Sequence, residues 1–545
     1  MDIPELLQTI GRYLDNNSLA SCVRVCLTWH QIFIPCLYNT IESQRTSIEG
    51  LTRHAHHIRH LDLSMDSKGY LDMYTPLRSE CHNLLRLVVS CNDDSYENND
   101  LYWNAVDFVL ANRSLRTLTI FDREPNVYRP CWKLMFTQCP QSLRELHLTS
   151  VKLHSEEETT QLMLLAGSLT TLVLKGCCAI WSDSFTADPQ FPLIEHLEIH
   201  DMFDTTAQEL KWIQQCPSLK CLRWGNEMSG RSTHSDATVF KSLNTPTWPL
   251  LQELTLQSLN IDMSDRQVSW LLEACGPLRK FAIASSGFWY RSFRSLERHF
   301  ETLEELRLDS CRDLRSFMSQ RILTSCPRLI HLALPVLEGH ELVEGTKGME
   351  ARSRRLEEDA RTDLRKKEQD EAAADVDENP TELNTIIASY SVRDLGQVRP
   401  WVCKGLLYLK MFITFTLPFP SGTEDDDCDD WDEIVFQQLS QLTELQTLDV
   451  SDTSFHPENL WVTWRNPQFK LQSGLAKLAP ITRLQFLLFD DTVQCLDVED
   501  LRWIMDHFSH LEQISPVLHL EDEICDELLK IVEEKGIRTC EDRSP

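Results

Sequence analysis

The sequence predicts an α/β solenoid, in which short parallel strands alternate with helices and each unit stacks on the next, preceded by a small all-α segment. Three observations predict it. An apolar motif returns eleven times between residues 58 and 334, mostly about 26 residues apart. The stretches between its copies carry apolar residues at helical spacing. The residues before the first copy are apolar too, but in a helical pattern without the motif.

The N-terminal segment reads "IPELLQTIGRYLDNNSLASCVRVCLTWHQIF". Pro4 suits the first turn of a helix, and Glu5 favours its positive end. Leu6, Leu7, Ile10, Tyr13 and Leu14 then form a broad apolar stripe. "DNNS" supplies a turn and a cap for a second helix carrying Leu19, Cys22 and Val23. Thr28 is placed to cap a third, with Trp29, Ile32, Phe33 and Leu37. Three such helices sit near the lower limit for independent folding, so they pack on a neighbour or await a partner.

Over residues 2–41 this segment resembles the F-box family. The resemblance rests on Ile3-Pro4-Glu5-Leu6-Leu7, Ile10, Leu14, Leu19, Val23, Val25, Cys26 and Trp29, with "VRVCLTWHQIF" as its most specific part. Ile3 stands where that family usually has Leu, and Tyr38 where Trp is common. The resemblance implies a substrate receptor of a cullin-based SCF ubiquitin ligase, whose helices dock on a small adaptor subunit. Ile3, Pro4, Leu7, Leu14, Leu19, Val25 and Trp29 are then the candidates for adaptor contact or for the core beneath it. A helical cap over the first repeat is the plainer reading, since solenoid ends need covers.

The motif itself is an apolar residue, two free positions, an apolar residue, one free position and an apolar residue. It reads "IRHLDL" at 58, "LRTLTI" at 115, "LRELHL" at 143, "IEHLEI" at 194 and "LEELRL" at 303. Weaker copies follow at 406, 445 and 481, with a shorter one at 511. The alternating end predicts a short strand with one buried face. "AQELKWIQQCPS" and "QVSWLLEACGP" predict helices, in which Leu210 and Ile213, or Trp270 and Ala274, recur at helical spacing. One strand–helix unit cannot bury its own apolar face, so units must stack, strands on the concave side and helices on the convex. Cys139-Pro140, Cys216-Pro217 and Cys326-Pro327 precede strands, and Cys311 follows one. With these the pattern resembles the cysteine-containing leucine-rich repeats, closely over 58–337 and loosely over 400–520. That resemblance implies a horseshoe fold and leaves the ligand open.

Residues 338–398 break the period with 16 acidic and 9 basic residues and few aromatics. A segment so charged cannot form a packed core and is expected to be disordered. "EDDDCDDWDE" at 424–433 adds eight carboxylates and is expected to be a second such loop. Its spacing is not that of a calcium loop.

The net charge of −30 argues against a nucleic-acid binder, which needs a basic stripe. No run is long and apolar enough to span a membrane. The start lacks the regions of a signal peptide, so an intracellular setting, cytoplasmic or nuclear, is expected. The 19 cysteines are therefore expected as reduced, mostly buried thiols.

Tests for chemistry return nothing: no G-x-S-x-G, no phosphate-cradling G-x-x-x-x-G-K, no H-E-x-x-H and no zinc-type cysteine spacing. His54, His56, His57 and His60 crowd together, but His60 falls on the first strand, which spoils a shared helical face. Cys540 has no neighbouring base. No catalytic residue, cofactor or metal is expected.

The expected organisation is an F-box at 1–41, a linker or cap at 42–57 and repeats at 58–337. A charged insertion at 338–398, degenerate repeats at 399–520 and a tail or cap at 521–545 follow. The expected role is a non-catalytic substrate-recognition subunit, with partners in the adaptor, through it a cullin, and an unidentified protein substrate. The candidate substrate face is the solvent side of the strands: Glu145, His147, His196, Glu198, His200, Arg223, Glu253, Glu305, Arg307 and Asp309. A repeat scaffold without any ligase role is the alternative.

Overall fold

The unit around "LRELHL" shows why the motif folds as it does. Leu143, Leu146 and Leu148 are fully buried, Glu145 is exposed, and His147 and Thr149 are half-buried, so Glu145–Thr149 is a strand with one apolar face. The computed structural model describes residues 3–42, 48–65, 77–91, 99–122, 131–153, 155–177, 191–200, 206–225, 240, 243, 247–257, 263–284, 287–311, 314–338, 400–416, 429–451, 464–465, 467–489, 496–515 and 522–539. The insertion at 339–398 and Cys540 lie outside them.

The chain divides into two compact units, one of Met1–Glu253 with Ser258–Ile261 and Ala274–Gly276, the other holding the rest. In the first, three helices open the chain: α1 (Ile3–Gly11), α2 (Asn16–Cys22) and α3 (Leu27–Leu37). Leu19, Phe33 and Ile34 are buried between them. Gly11 lets α1 approach α3, because a Cβ there would lie 2.9 Å from the Phe33 ring. Helix α1 stops at Gly11, so Tyr13 and Leu14 fall beyond it and the expected stripe is cut short. Asp15 caps α2 by accepting the Ser18 N–H at 2.8 Å. The cap of α3 is Cys26 rather than Thr28: the Cys26 backbone is extended, and its sulfur accepts the Trp29 N–H at 3.5 Å.

Among the described residues of this unit eight parallel strands follow: Thr40–Glu42, His60–Met65, Arg86–Cys91, Thr117–Asp122, Glu145–Thr149, Thr171–Lys175, His196–His200 and Cys221–Gly225. Register is one to one, so Leu118, Leu146, Leu172, Leu197 and Leu222 form a single buried row. The ladder begins at Thr40, ahead of the first sequence motif. The stretch assigned to a linker holds the helix Ile48–His54 and a 3-10 turn, Ala55–His57, whose Leu51 and Ala55 are buried. His54, His56, His57 and His60 are thus split among three elements.

The second unit repeats the scheme with Lys280–Ile283, Glu305–Arg307, His331–Glu338, Tyr408–Thr416, Thr447–Asp449, Phe486–Leu488, Gln513–Ile514 and Arg538–Thr539 in parallel order. Trp464–Arg465 pairs antiparallel with the far end of Tyr408–Thr416. The stretch assigned to a tail contributes the helix Asp522–Glu534 and the strand Arg538–Thr539. The acidic stretch at 424–433 is not all loop, because Asp429 to Glu433 open the helix Asp429–Leu439; residues 424–428 lie outside the described residues. Trp270 is half-exposed rather than core, with the Arg266 guanidinium 4.9 Å from its ring centre. This is the α/β leucine-rich-repeat architecture: parallel single-strand repeats joined by helical segments in an open sheet.

One bond pattern recurs at each step. The Arg116 carbonyl accepts the N–H groups of both Arg144 (2.8 Å) and Glu145 (3.0 Å). Arg144 receives Thr170 and Thr171 in the same way, and Glu304 receives Ile330 and His331. Side chains reinforce the joints. The Ser142 hydroxyl lies 2.6 Å from the Arg113 carbonyl and 2.8 Å from the Leu115 carbonyl, which share its one proton, and the Ser218 hydroxyl donates to the Pro192 carbonyl. The thiols of Cys81, Cys177 and Cys311 donate to carbonyls of the preceding repeat. Burial pushes the Cys81 and Cys216 thiols up to about 12, which keeps them protonated donors.

Asn112 is the strongest joint of this kind. Fully buried, it accepts the Leu84 N–H at 2.7 Å and donates to the Cys81 and Phe108 carbonyls at 2.8 Å each. Asn112→Ala is expected to destabilise the first unit by about 3 kcal/mol, since it strands three buried backbone groups; urea unfolding followed by circular dichroism measures it. His299 plays a comparable part in the second unit. Its Nδ1 accepts the Leu278 N–H (3.3 Å), and its Nε2 bonds the Leu272 carbonyl (3.2 Å). Burial holds His299 below the usual histidine range, with a smaller push from Arg298. A depressed histidine stabilises the fold above its unfolded value of about 6.5 and loses that contribution as pH falls below it. The stability gap between wild type and His299→Gln is therefore expected to narrow on going from about pH 7.5 to about pH 5, as read by thermal melts.

Candidate interaction surfaces

Two surfaces gather the residues singled out from the sequence, and the first lies on the opening helices. A helix of 9 residues followed by one of 7 cannot turn every apolar side chain inward. Ile3 is 76% exposed, Tyr13 86%, Val25 62% and Leu27 82%. Pro4 is exposed, Leu7, Leu14 and Trp29 are half-buried, and Leu19 is buried. The seven candidates thus separate by role. Leu19 belongs to the core. Trp29 packs edge-on against Phe33, with ring centres 5.4 Å apart. Ile3, Pro4 and Val25 face outward. The sequence reading omitted Leu6, Ile10, Tyr13 and Leu27, all exposed. The first three were visible in the α1 stripe. Leu27 carried no signal, because its place as the first residue of α3 depends on the cap at Cys26.

The second surface is the open face of the strands. In the first unit Glu145, Thr171, His196 and Cys221 align in one row, and His147, Val173, Glu198 and Arg223 in the next. Glu145 is exposed and accepts the Thr117 hydroxyl at 3.0 Å. His147 is half-buried, and its Nε2 is enclosed without a hydrogen-bond partner. Burial lowers its pKa, while the Glu145 carboxylate pulls the other way. The Glu198 carboxylate bonds His200 Nε2 at 3.1 Å and Lys175 Nζ at 2.9 Å, and the His200 bond foremost brings it down to about 2. His196 and Arg223 stand exposed.

His200 departs from expectation. It lies on the open face, yet it is only 6% exposed, because its ring is tucked beside Glu198. Glu253 is half-buried and accepts the Cys221 thiol at 3.6 Å; burial, then Glu253, raise that thiol to about 11. Lys175, the cation that fixes Glu198, was missed in the sequence, where no spacing rule links it to a carboxylate one strand away.

In the second unit the open face carries Glu305, whose carboxylate meets Arg307 Nε at 2.9 Å and Lys280 Nζ at 3.7 Å. Asp309 faces Lys410 at 3.8 Å. Arg307 and Lys280 are exposed, so their pairs rearrange at little cost around a polar partner, whereas Lys410 and Asp309 are partly buried. Among the described residues no group of three or more His, Cys, Asp or Glu is placed to hold a metal ion. No helix among them is long and apolar enough to cross a membrane.

No family profile matches the sequence, and no curated protein matches it. Solved structures do. One is the complex of Rad7 and Elc1 from yeast, at 14% identity and TM-score 0.36, spanning 62% of this chain and 84% of that one. Another is the leucine-rich repeat-containing protein LegL7 from Legionella pneumophila, at 16% identity and TM-score 0.26, spanning 46% and 90%. Both likenesses are too distant to transfer residues or partners.

The split between core and outward residues has a direct check. Val25→Asp and Leu27→Asp are expected to leave stability within about 0.5 kcal/mol of wild type. Leu19→Asp buries an unpaired carboxylate and is expected to cost at least about 3 kcal/mol. Thermal melts of the three variants compare them.

Proposed function

We propose that the protein is a substrate-recognition subunit of a cullin-based, SCF-type ubiquitin ligase. Its opening helices grip the adaptor subunit, and the open face of its strands holds a protein substrate. The observation that carries this reading is the outward apolar surface of Ile3, Leu6, Ile10, Tyr13, Val25 and Leu27. It sits on a helical segment whose sequence resembles an F-box. Six exposed apolar side chains on so short a segment fit a docking site. The chain serves as an adaptor without a chemical step of its own.

On the substrate side, Glu145, His196 and Arg223 are exposed, and Glu198 and Arg307 stand in ion pairs at the surface. Alternating charge selects a polar protein segment over an apolar ligand.

The test uses the full chain incubated with purified adaptor subunit and cullin. Wild type is expected to co-purify with both. Ile3→Asp and Val25→Asp are each expected to weaken adaptor binding at least about tenfold while the protein stays folded. If folded wild type binds neither adaptor nor cullin, the ligase reading falls, and a repeat scaffold without a ligase role takes its place.

A further inference from the structure

The strand-start edge of the first unit carries a cationic row that the ligase reading does not use. The Arg59 carbonyl accepts the N–H groups of Leu85 (2.7 Å) and Arg86 (3.0 Å), and the Leu85 carbonyl accepts those of Arg116 (2.8 Å) and Thr117 (3.0 Å). The step from Arg116 to Arg144 and Glu145 repeats the pattern. In the ladder His60 pairs with Arg86, Arg86 with Thr117 and Thr117 with Glu145. Arg59, Leu85, Arg116 and Arg144 therefore stand side by side one position earlier, with Arg86 in the adjoining row. Four successive strands thus bring one arginine each, over three steps of about 4.8 Å, or roughly 14 Å.

All four arginines are exposed, and among the described residues none of them forms an ion pair with a carboxylate. The carboxylates on these four strands are Asp62, Asp122 and Glu145. Asp62 lies two positions beyond His60, Asp122 is buried at the far end of its strand, and Glu145 takes the Thr117 hydroxyl. Glu80, exposed in the turn ahead of Arg86, pairs with none of the four. Later repeats neutralise the same position from one strand to the next. Lys220 meets Glu195 at 2.8 Å, and in the second unit Arg279 meets Glu304 at 2.7 Å. The first four strands lack that compensation. Burial, then Arg86 and Arg59, hold His60 below the usual histidine range, as an uncompensated positive edge requires. Arg144 is anchored by Nη1 to the Gln141 and Leu143 carbonyls at 2.9 and 2.8 Å, neutral acceptors that leave its charge unmatched.

We propose that this row binds an acidic, Asp/Glu-rich segment of a protein partner, laid across the strand starts with its carboxylates on Arg59, Arg86, Arg116 and Arg144. A planar guanidinium fork matches the two oxygens of a carboxylate. An extended segment rises about 3.3 Å per residue, so about five residues cover the row. One exposed ion pair contributes little, so binding needs several carboxylates at once and weakens with salt. A single-stranded nucleic acid fits less well. No Phe, Tyr or Trp stands in the two rows for a base to stack on, and a net charge of −30 repels a long polyphosphate more than a few carboxylates.

The test measures binding of a labelled short peptide of alternating Glu and Gly to the full chain, by fluorescence anisotropy, with neither adaptor nor cullin present. Its result is therefore separate from the fate of the ligase reading. The same peptide with Gln for Glu is the control, and a short single-stranded oligonucleotide is the rival ligand. The Glu peptide is expected to bind at least about tenfold more tightly than the Gln peptide, and to weaken steadily as salt rises from about 50 to about 300 mM. Arg86→Gln and Arg116→Gln are each expected to weaken it about threefold, and the two together at least about tenfold. Lys133→Gln removes the same charge from the helix Cys131–Gln138, where Lys133 pairs with Glu157, and is expected to change nothing. Thermal melts verify that the variants are folded; if one is not, the Glu and Gln peptides on wild type across the salt series decide the matter. Equal binding of the two peptides overturns the proposal, and so does unchanged affinity in the folded double variant. A loss in Lys133→Gln as large as in the arginine variants overturns it too, since that reports net charge alone. Binding of the oligonucleotide without the Glu peptide overturns it in favour of a nucleic-acid edge.

Discussion

One carbonyl per repeat carries two successive N–H groups of the next, and the rest of the structure depends on that joint. Arg116, Arg144, Thr170 and Glu195 each hold the following strand in this way. The bond sets the register, and the register stacks Leu118, Leu146, Leu172, Leu197 and Leu222 into one apolar row. A slip of one residue would turn the whole row outward. The number of residues between one joint and the next is not fixed by the joint itself. This is why the period tolerates intervals from 25 to 32 residues while the strand keeps its place.

The same joint explains the chemistry of the cysteines and of Asn112. Where strand gives way to helix, backbone carbonyls and N–H groups are buried without a ladder partner, and a buried polar group left alone is costly. Small side chains that donate or accept weakly solve this without adding bulk: a thiol at Cys81, a hydroxyl at Ser142, an amide at Asn112. Cys81, Cys177 and Cys311 are thus hydrogen-bonding core residues.

Much of this was legible in the sequence. The motif at 143 could be read residue by residue, since a period of two within the strand and a return after about 26 residues leave few other folds. What escaped depended on contacts between distant residues. Trp270 recurs with Ala274 at helical spacing, yet it is half-exposed, with the Arg266 guanidinium over its ring. Thr28 looked a better cap than Cys26, because sulfur is a poor acceptor on average; the extended backbone at Cys26 decided otherwise. The strands Thr40–Glu42 and Arg538–Thr539 are too short to show a period, and only pairing reveals them. The open face was legible as a set of positions. The burial of His200 was not, since it follows from a neighbour two residues away bonded to a lysine on the adjoining strand.

The strand Thr40–Glu42 deserves a last consequence. It pairs with His60, Leu61 and Asp62, so the opening helices continue straight into the ladder. A flexible tether would let anything held by those helices wander over a volume set by chain statistics. Here the connection is a bracket. Under the function proposed above, a body clasped by the helices and a body resting on the strands would meet at an angle fixed by backbone geometry, with the directness of an intramolecular event.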